Sequence, residues 1–222
     1  MIIYHGSEIE VKEPTRDKGK RYNDFGQGFY CTLHHELAAQ WACKFQEDGI
    51  VNEYILDIDN LNVLYLNEKY HILNWLAILV DNREFTGAFA LSNAKYICDK
   101  YLIDYKSYDV IIGYRADDAY FKFIREFLNN TTGLNTLDEA MYLGKFGLQV
   151  FIQSEKAFQN LRFVNSVIVD QEEHYIKSIK SIERACEFYE LLKDANEQND
   201  IFIRDIKGGQ INENGIPKIK IK

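Results

Sequence analysis

The stretch Phe25-Gly26-Gln27-Gly28-Phe29-Tyr30-Cys31-Thr32, with the segment behind it as far as Trp41, constrains this chain more than any other. Two glycines one residue apart suit a close approach of backbone to a flat ligand, and Phe29-Tyr30 after them begins a short strand. From His34 to Phe45 the apolar residues fall at Leu37, Ala38, Trp41, Ala42 and Phe45, a helical period. A strand followed at once by that helix holds Trp41 at a set distance from Tyr30. Two aromatics then face each other across a slot, and such a slot binds a planar ring by stacking.

Around this stretch the pattern is α+β. A strand is expected at residues 2 to 5, leading into Tyr4-His5-Gly6-Ser7. A polar loop from Glu8 to Asp24 follows, basic at Lys18, Lys20 and Arg21, and loops of this length are usually functional or mobile. Its basic residues could touch a pyrophosphate or be a solvated face. Strands are expected near Val51 to Ile58 and Val63 to Leu66, and a helix around Ile72 to Val80. Tyr108 to Gly113 reads as a short buried strand by its β-branched run. Helices are expected at 117 to 129 and 136 to 144, then a strand from Gly147 to Gln153. Ser154 is placed to cap a helix beginning at Glu155.

Beyond Val164 the character changes. From Glu172 to Ala195 the apolar residues keep a helical period over about six turns, which predicts one long amphipathic helix. The tail from Asp200 has two alternating stretches around Gly208-Gly209 and ends in Lys218-Ile219-Lys220-Ile221-Lys222, the pattern of a hairpin or a lysine-guarded edge strand. The expected organisation is a first domain over 1–164 and an extension over 165–222.

Composition narrows the function. The 222 residues carry a formal net charge of -8, so the field of the whole protein repels polyanions and gives no general support for nucleic-acid binding. Cys31, Cys43, Cys98 and Cys186 have no close pairing or metal-ligand spacing and read as reduced thiols. The first strand begins without a basic flank or cleavage site, and no apolar run approaches 18 residues. A cytoplasmic protein without a membrane span is therefore expected. His34, His35, His71 and His174 have no spacing that argues for metal or catalysis.

Taken together, Tyr4-His5-Gly6-Ser7 and Gly28-Phe29-Tyr30-Cys31-Thr32, with an aromatic eleven residues after Tyr30, resemble the ADP-ribosyltransferase superfamily. The resemblance is to the branch shared by diphtheria-like toxins and poly(ADP-ribose) polymerases, marked by a His, a Tyr and an acidic residue on three successive motifs. It is closer still to an uncharacterised bacterial family of that superfamily, and it covers roughly residues 1 to 164. It implies a split β-sandwich with flanking helices. The implied substrate is NAD, attacked at the carbon joining nicotinamide to ribose through a transition state of oxocarbenium character.

By matched position, the resemblance implies that His5 hydrogen-bonds the adenosine-side ribose. It also implies that Gly6 offers its backbone N–H and C=O to the nicotinamide carboxamide. Tyr30 and Trp41 would sandwich the nicotinamide ring, with Ser7 and Thr32 beside the same slot; stacking of this kind adds about 0.5 to 1.5 kcal/mol per pair beyond burial. The third motif departs from the family. Leu148-Gln149-Val150-Phe151-Ile152 matches the place of the catalytic glutamate, but Gln149 is an amide. It can accept a hydrogen bond from the ribose 2′-hydroxyl and cannot supply negative charge. Losing such a charge costs on the order of 2.7 to 4 kcal/mol in the barrier if oxyanion-hole deletions are a fair mirror image. Superfamily members without the glutamate still transfer single ADP-ribose units.

Other carboxylates are candidates. Gln153-Ser154-Glu155 imitates the Gln-x-Glu element of arginine-directed transferases, which would make Glu155 catalytic, although that branch has an Arg where His5 stands. The competing reading is an ordinary helix start. Asp109, Asp117 and Asp118 resemble a motif of the bacterial family or, equally, form an N-cap and first helical turn.

The function so implied is transfer of one ADP-ribose from NAD to a macromolecular acceptor, protein rather than nucleic acid on net charge, as a toxin or defence effector. An antitoxin or immunity protein would then be a partner. The alternatives are a degenerate module that binds NAD or ADP-ribose without turnover, and a partner-binding protein built on the long helix.

Overall fold

A computed structural model describes residues 1–116, 118–143, 148–196, 198–210 and 219–221. The described chain is mixed α+β. Its strands are β1 (Ile2–Ser7), β2 (Phe29–Thr32), β3 (Gly49–Leu56), β4 (Val63–Tyr65), β5 (Val110–Gly113), β6 (Gln149–Ile152) and β7 (Leu161–Val169). Its α-helices are α1 (His35–Ala42), α2 (Leu66–Lys69), α3 (Ile72–Asn82), α4 (Ala88–Tyr101), α5 (Asp118–Leu128), α6 (Leu134–Leu143), α7 (Glu155–Gln159), α8 (Gln171–Asn196) and α9 (Ile203–Lys207). Two compact units result, each assembled from three stretches of chain. One comprises residues 1–65, 104–113 and 146–181, and the other 66–103, 114–145 and 182–222.

The first unit holds every described strand in one seven-stranded sheet, ordered β4-β5-β6-β2-β1-β3-β7. All neighbours pair antiparallel except β4 and β5, which run parallel. Period-two alternation sorts the side chains onto two faces. Ile3, Phe29, Cys31, Tyr54, Leu56, Val150 and Ile152 build a core on one face, closed by Ala157 of α7. On the other face α1 buries Ala38, Ala39 and Ala42 against Val51 and Val169. Gly6 makes that seat possible, because a Cβ there would lie 2.0 Å from the Ala38 carbonyl oxygen.

The second unit is helical. α3 is apolar on all sides, with Ile72 to Leu79 all buried. Its buried Asn74 donates to the Tyr101 carbonyl (2.8 Å), and Trp75 Nε1 donates to the Tyr114 carbonyl (2.9 Å). Tyr189 of α8 stacks on Phe123 of α5 at 3.8 Å, its hydroxyl lying 2.9 Å from Glu126 Oε2 and 2.8 Å from Thr132 Oγ1.

Several expectations need correction. The helix expected as far as Trp41 is present as α1, but the apolar period read out to Phe45 outlasts it, since α1 ends at Ala42 and the chain then turns through Gln46 at φ 61°. α4 and β7 had no counterpart in the sequence reading. β7 pairs with β3 as far as Val169, so the boundary expected after Val164 falls inside a strand. The hairpin expected around Gly208-Gly209 is, on its described side, the helix α9. There Asp205 accepts from the Phe202 N–H at 3.0 Å, and Ile203 and Ile206, one helical turn apart, are buried. Residues 211–218 and 222 lie outside the described residues, as does Asp117. No helix among the described residues is long and apolar enough to cross a membrane.

Candidate functional site

The sheet opens between β1 and β2. Their register holds the single pair Tyr4–Thr32, whereas β1 pairs with β3 along its whole length. The Met1 amino group donates to the Leu56 carbonyl (2.7 Å) and the Leu56 N–H donates to the Met1 carbonyl (2.9 Å). Alternation from that pair turns the main-chain groups of Ile2, Tyr4 and Gly6 toward β2. Gly6 lies beyond the one β1–β2 pair, so its N–H and C=O look into the opening.

His5 spans the same opening. Its Nδ1 lies 2.7 Å from the Tyr30 carbonyl oxygen. A carbonyl only accepts, so Nδ1 carries the proton and Nε2 of the neutral ring is an acceptor. Burial holds the His5 pKa below the ordinary histidine value, against the opposing pull of the Tyr30 carbonyl. The ring packs on Phe29 at 4.4 Å between centroids.

A cavity of about 550 Å³ occupies this place, lined by His5, Gly6, Tyr30 and Trp41, together with Phe29, Gly28 and much of the segment from Ile9 to Asn23. Four of the six residues expected beside the slot, His5, Gly6, Tyr30 and Trp41, come together here. The long loop forms one wall, and it is tied down rather than left to solvent. Gln27 Nε2 donates to the Asp17 and Gly19 carbonyls, both at 3.1 Å, and Arg16 Nε donates to the Gln27 carbonyl at 3.3 Å. Lys18 and Lys20 are exposed and line the cavity, so both a solvated position and a place beside a bound anion apply to them.

Tyr30 sits on the face of the sheet that α1 covers. Its ring lies 4.7 Å from Phe151. Its hydroxyl donates to the Gly26 carbonyl (2.7 Å) and accepts from the Phe25 N–H (3.0 Å). The two glycines of this stretch therefore have internal reasons. Gly26 adopts φ 94°, which favours glycine, and a Cβ on Gly28 would lie 2.4 Å from the Phe151 ring.

Gln149, Ser7 and Thr32 do not line the cavity. Thr32 is fully buried, and its Oγ1 accepts from the His34 N–H at 3.3 Å. Ser7 Oγ donates to the Ile9 carbonyl at 2.6 Å. Gln149, opposite Thr32 in the β2–β6 ladder, is 4% exposed, and its Nε2 donates to Asp24 Oδ2 at 3.0 Å.

Of the remaining carboxylate candidates, Asp109 has structural partners, and Asp117 and the Asp118 side chain lie outside the described residues. Asp109 Oδ1 accepts from the Ser154 hydroxyl (2.6 Å) and its Oδ2 accepts from the Asn62 N–H (2.8 Å). Burial raises its pKa and these donors lower it, the net shift being downward. Ser154 Oγ accepts from the Ala157 N–H at 3.0 Å, as the helix-start reading expects, and Glu155 is exposed in the first turn of α7. Among the other histidines, His71 caps α3 by accepting from the Leu73 N–H, and His174 lies 3.1 Å from Glu36.

Asn52 escaped the sequence reading. It is fully buried on β3, where its Nδ2 donates to the His5 carbonyl (3.2 Å) and to Ser7 Oγ (2.9 Å), and its Oδ1 accepts from the Val11 N–H (2.8 Å). One amide thus joins β1 to the loop wall. Its signal was parity: Asn52 shares a strand face with Tyr54 and Leu56, and a polar residue in such a row needs buried partners. Asp24 was missed as well, having no motif around it.

No curated protein and no solved structure matches the chain. One family model does, over residues 1–163 of the 222, and by that match the chain belongs to the DUF3990 family, whose description is a protein of unknown function.

Proposed function

We propose that the protein is a mono-ADP-ribosyltransferase, taking NAD and moving its ADP-ribose to a macromolecular acceptor. The observation that carries this reading is the opening between β1 and β2, where Gly6 main-chain groups, the His5 ring and the Tyr30 and Trp41 side chains meet in one cavity. Gly6 binds the carboxamide through its N–H and C=O. Tyr30 and Trp41 take the nicotinamide ring between them. His5 Nε2 accepts from a hydroxyl of the adenosine-side ribose, and Lys18 and Lys20 lie where a pyrophosphate can be neutralised.

The bond between C1′ and the nicotinamide nitrogen breaks, and nicotinamide leaves neutral with the electron pair. The acceptor's lone pair then forms the new bond to C1′ and the acceptor loses a proton. With a net charge of -8, a protein acceptor is favoured over nucleic acid, and a toxin or defence role with an antitoxin or immunity partner fits such a reaction. A second reading, NAD binding without turnover, is favoured by one observation: Gln149 is buried and its Nε2 is bonded to Asp24.

The deciding experiment follows nicotinamide release and label transfer from NAD in the presence of cell lysate, for the wild type and for His5→Ala. Release by the wild type and its loss in the variant support the transferase. Saturable NAD binding with no release in either protein sinks the transferase and leaves the binding module.

A further inference from the structure

We infer that Asp24, not the residue at position 149, supplies the carboxylate of this site, and that Gln149 is the positioning residue that holds it. The inference rests on the reading of the cavity as an NAD site.

Three observations bring Asp24 to the sheet face that carries Tyr30. Gln149 and Tyr30 share one face of the sheet, two rungs apart, because Gln149 stands opposite Thr32 and Tyr30 opposite Phe151. The segment Asp24-Phe25-Gly26 is pinned over that face at each residue. Gln149 Nε2 donates to Asp24 Oδ2, the Phe25 N–H donates to the Tyr30 hydroxyl, and that hydroxyl donates to the Gly26 carbonyl. On the other side of Asp24, Asn23 lines the cavity. Asp24 itself does not line the cavity, and its carboxyl group sits behind the wall, one residue from Asn23 and bonded to Gln149 on the face that carries Tyr30.

Asp24 is 3% exposed, and burying a carboxylate is costly unless it is hydrogen-bonded. The exchange of roles also accounts for the amide at 149. A glutamate there would stand about 3 Å from Asp24, and two carboxylates that close cannot both ionise. The glutamine instead donates, and aims the carboxylate.

In the reaction, the Asp24 carboxylate stabilises positive charge as it develops on C1′ and the ribose ring oxygen while nicotinamide departs with its electron pair. It then takes the proton that the attacking acceptor loses. No bond to Asp24 forms, and no redox partner is needed.

The test uses the full chain and NAD. Asp24→Asn keeps size and hydrogen-bonding capacity and removes the charge. It is expected to lower kcat for nicotinamide release by about 100-fold, as loss of one preorganised electrostatic group does. Its Kd for NAD by calorimetry should stay within about threefold of wild type, since the charge acts in the transition state. A kcat equal to wild type overturns the assignment of Asp24 and leaves the NAD site standing. A wild type that neither binds nor cleaves NAD overturns both.

A second measurement needs no variant: a structure of the wild type with a non-hydrolysable NAD analogue. An Asp24 oxygen within about 3.2 Å of a hydroxyl of the nicotinamide-side ribose is expected. A bound ribose with Asp24 turned away, and no carboxyl oxygen in hydrogen-bond range, overturns the assignment.

Discussion

Tyr30→Phe separates what the tyrosine does for the fold from what it does for a ligand. The change removes one oxygen and keeps the ring, which lies 4.7 Å from Phe151. Two hydrogen bonds go with that oxygen, one to the Gly26 carbonyl at 2.7 Å and one from the Phe25 N–H at 3.0 Å. Phe25 is 2% exposed and Gly26 is buried, so neither main-chain group exchanges its lost partner for bulk water. Each hydrogen bond contributes about 1 kcal/mol net, and an unsatisfied buried group costs roughly 1 to 3 kcal/mol. A loss of about 3 kcal/mol is therefore expected. For a chain of this length that lowers Tm by roughly 6 to 12 °C.

Scanning calorimetry reads the first half of the prediction and titration calorimetry with NAD the second. Since the ring is retained, Tyr30→Phe should hold its Kd within about threefold of wild type, whereas Tyr30→Ala, which loses stacking and burial together, should weaken binding by about tenfold or more. A Tm within about 2 °C of wild type would refute the claim that this hydroxyl pins the 24–26 segment. Loss of NAD affinity in Tyr30→Phe as complete as in Tyr30→Ala would refute the stacking role, because the ring alone would then be insufficient.

Two further outcomes follow from burial. His71 has a pKa pushed down from the ordinary 6.5 to about 4 by desolvation, and its neutral Nδ1 caps α3. Because the folded value is the lower one, stability is complete above pH 6.5 and is lost as pH falls toward 4. At pH 5 the loss is on the order of 2 kcal/mol, and His71→Asn, which keeps an accepting cap without titrating, should flatten the Tm–pH curve between pH 7 and 5. Gly6→Ala drives a Cβ to 2.0 Å from the Ala38 oxygen and 2.9 Å from the Ala42 nitrogen, both main-chain atoms of α1 that cannot rotate away. A destabilisation of about 3 kcal/mol or more is expected in urea unfolding, beyond the usual overpacking range, and a wild-type midpoint would show that α1 is not seated on Gly6.

The elements that were legible are those whose signal is local. The apolar run at Val110 to Ile112 and the cap at Ser154 each state their structure within a few residues, and each is present. α4 was hidden because its buried face is made of Ala90, Asn93, Ala94, Ile97 and Tyr101, two of them alanines and one an amide. The amide is not an error in the pattern, since Asn93 Nδ2 donates to the Leu128 carbonyl at 2.8 Å. β7 was hidden for the opposite reason. As the edge strand of the sheet it keeps Val164, Val167 and Ile168 exposed, and its ladder with β3 shifts register at Glu53/Tyr54, so strict alternation is lost.

The site divides along the same line, and the division tests what a motif is for. Tyr4-His5-Gly6-Ser7 and Gly28-Phe29-Tyr30 were readable because each packs its chemistry into consecutive residues, yet the glycines in them also answer to packing: Gly6 admits α1 and Gly28 admits Phe151. Removing either glycine would therefore disturb the fold before it disturbed a ligand, and only Tyr30, His5 and Trp41 can be probed for binding by side-chain truncation. Asn52 and Asp24 were unreadable because their partners are remote in the chain. Asn52 meets His5 forty-seven residues away, and Asp24 meets Gln149 at a separation of 125. Asn52, Asp24 and Gln149 are buried, and in a sheet with an opening at its centre a buried amide or carboxylate must be satisfied from another strand or loop. Gln149 is thus one half of a buried pair, its amide donating to the carboxylate that arrives from the loop.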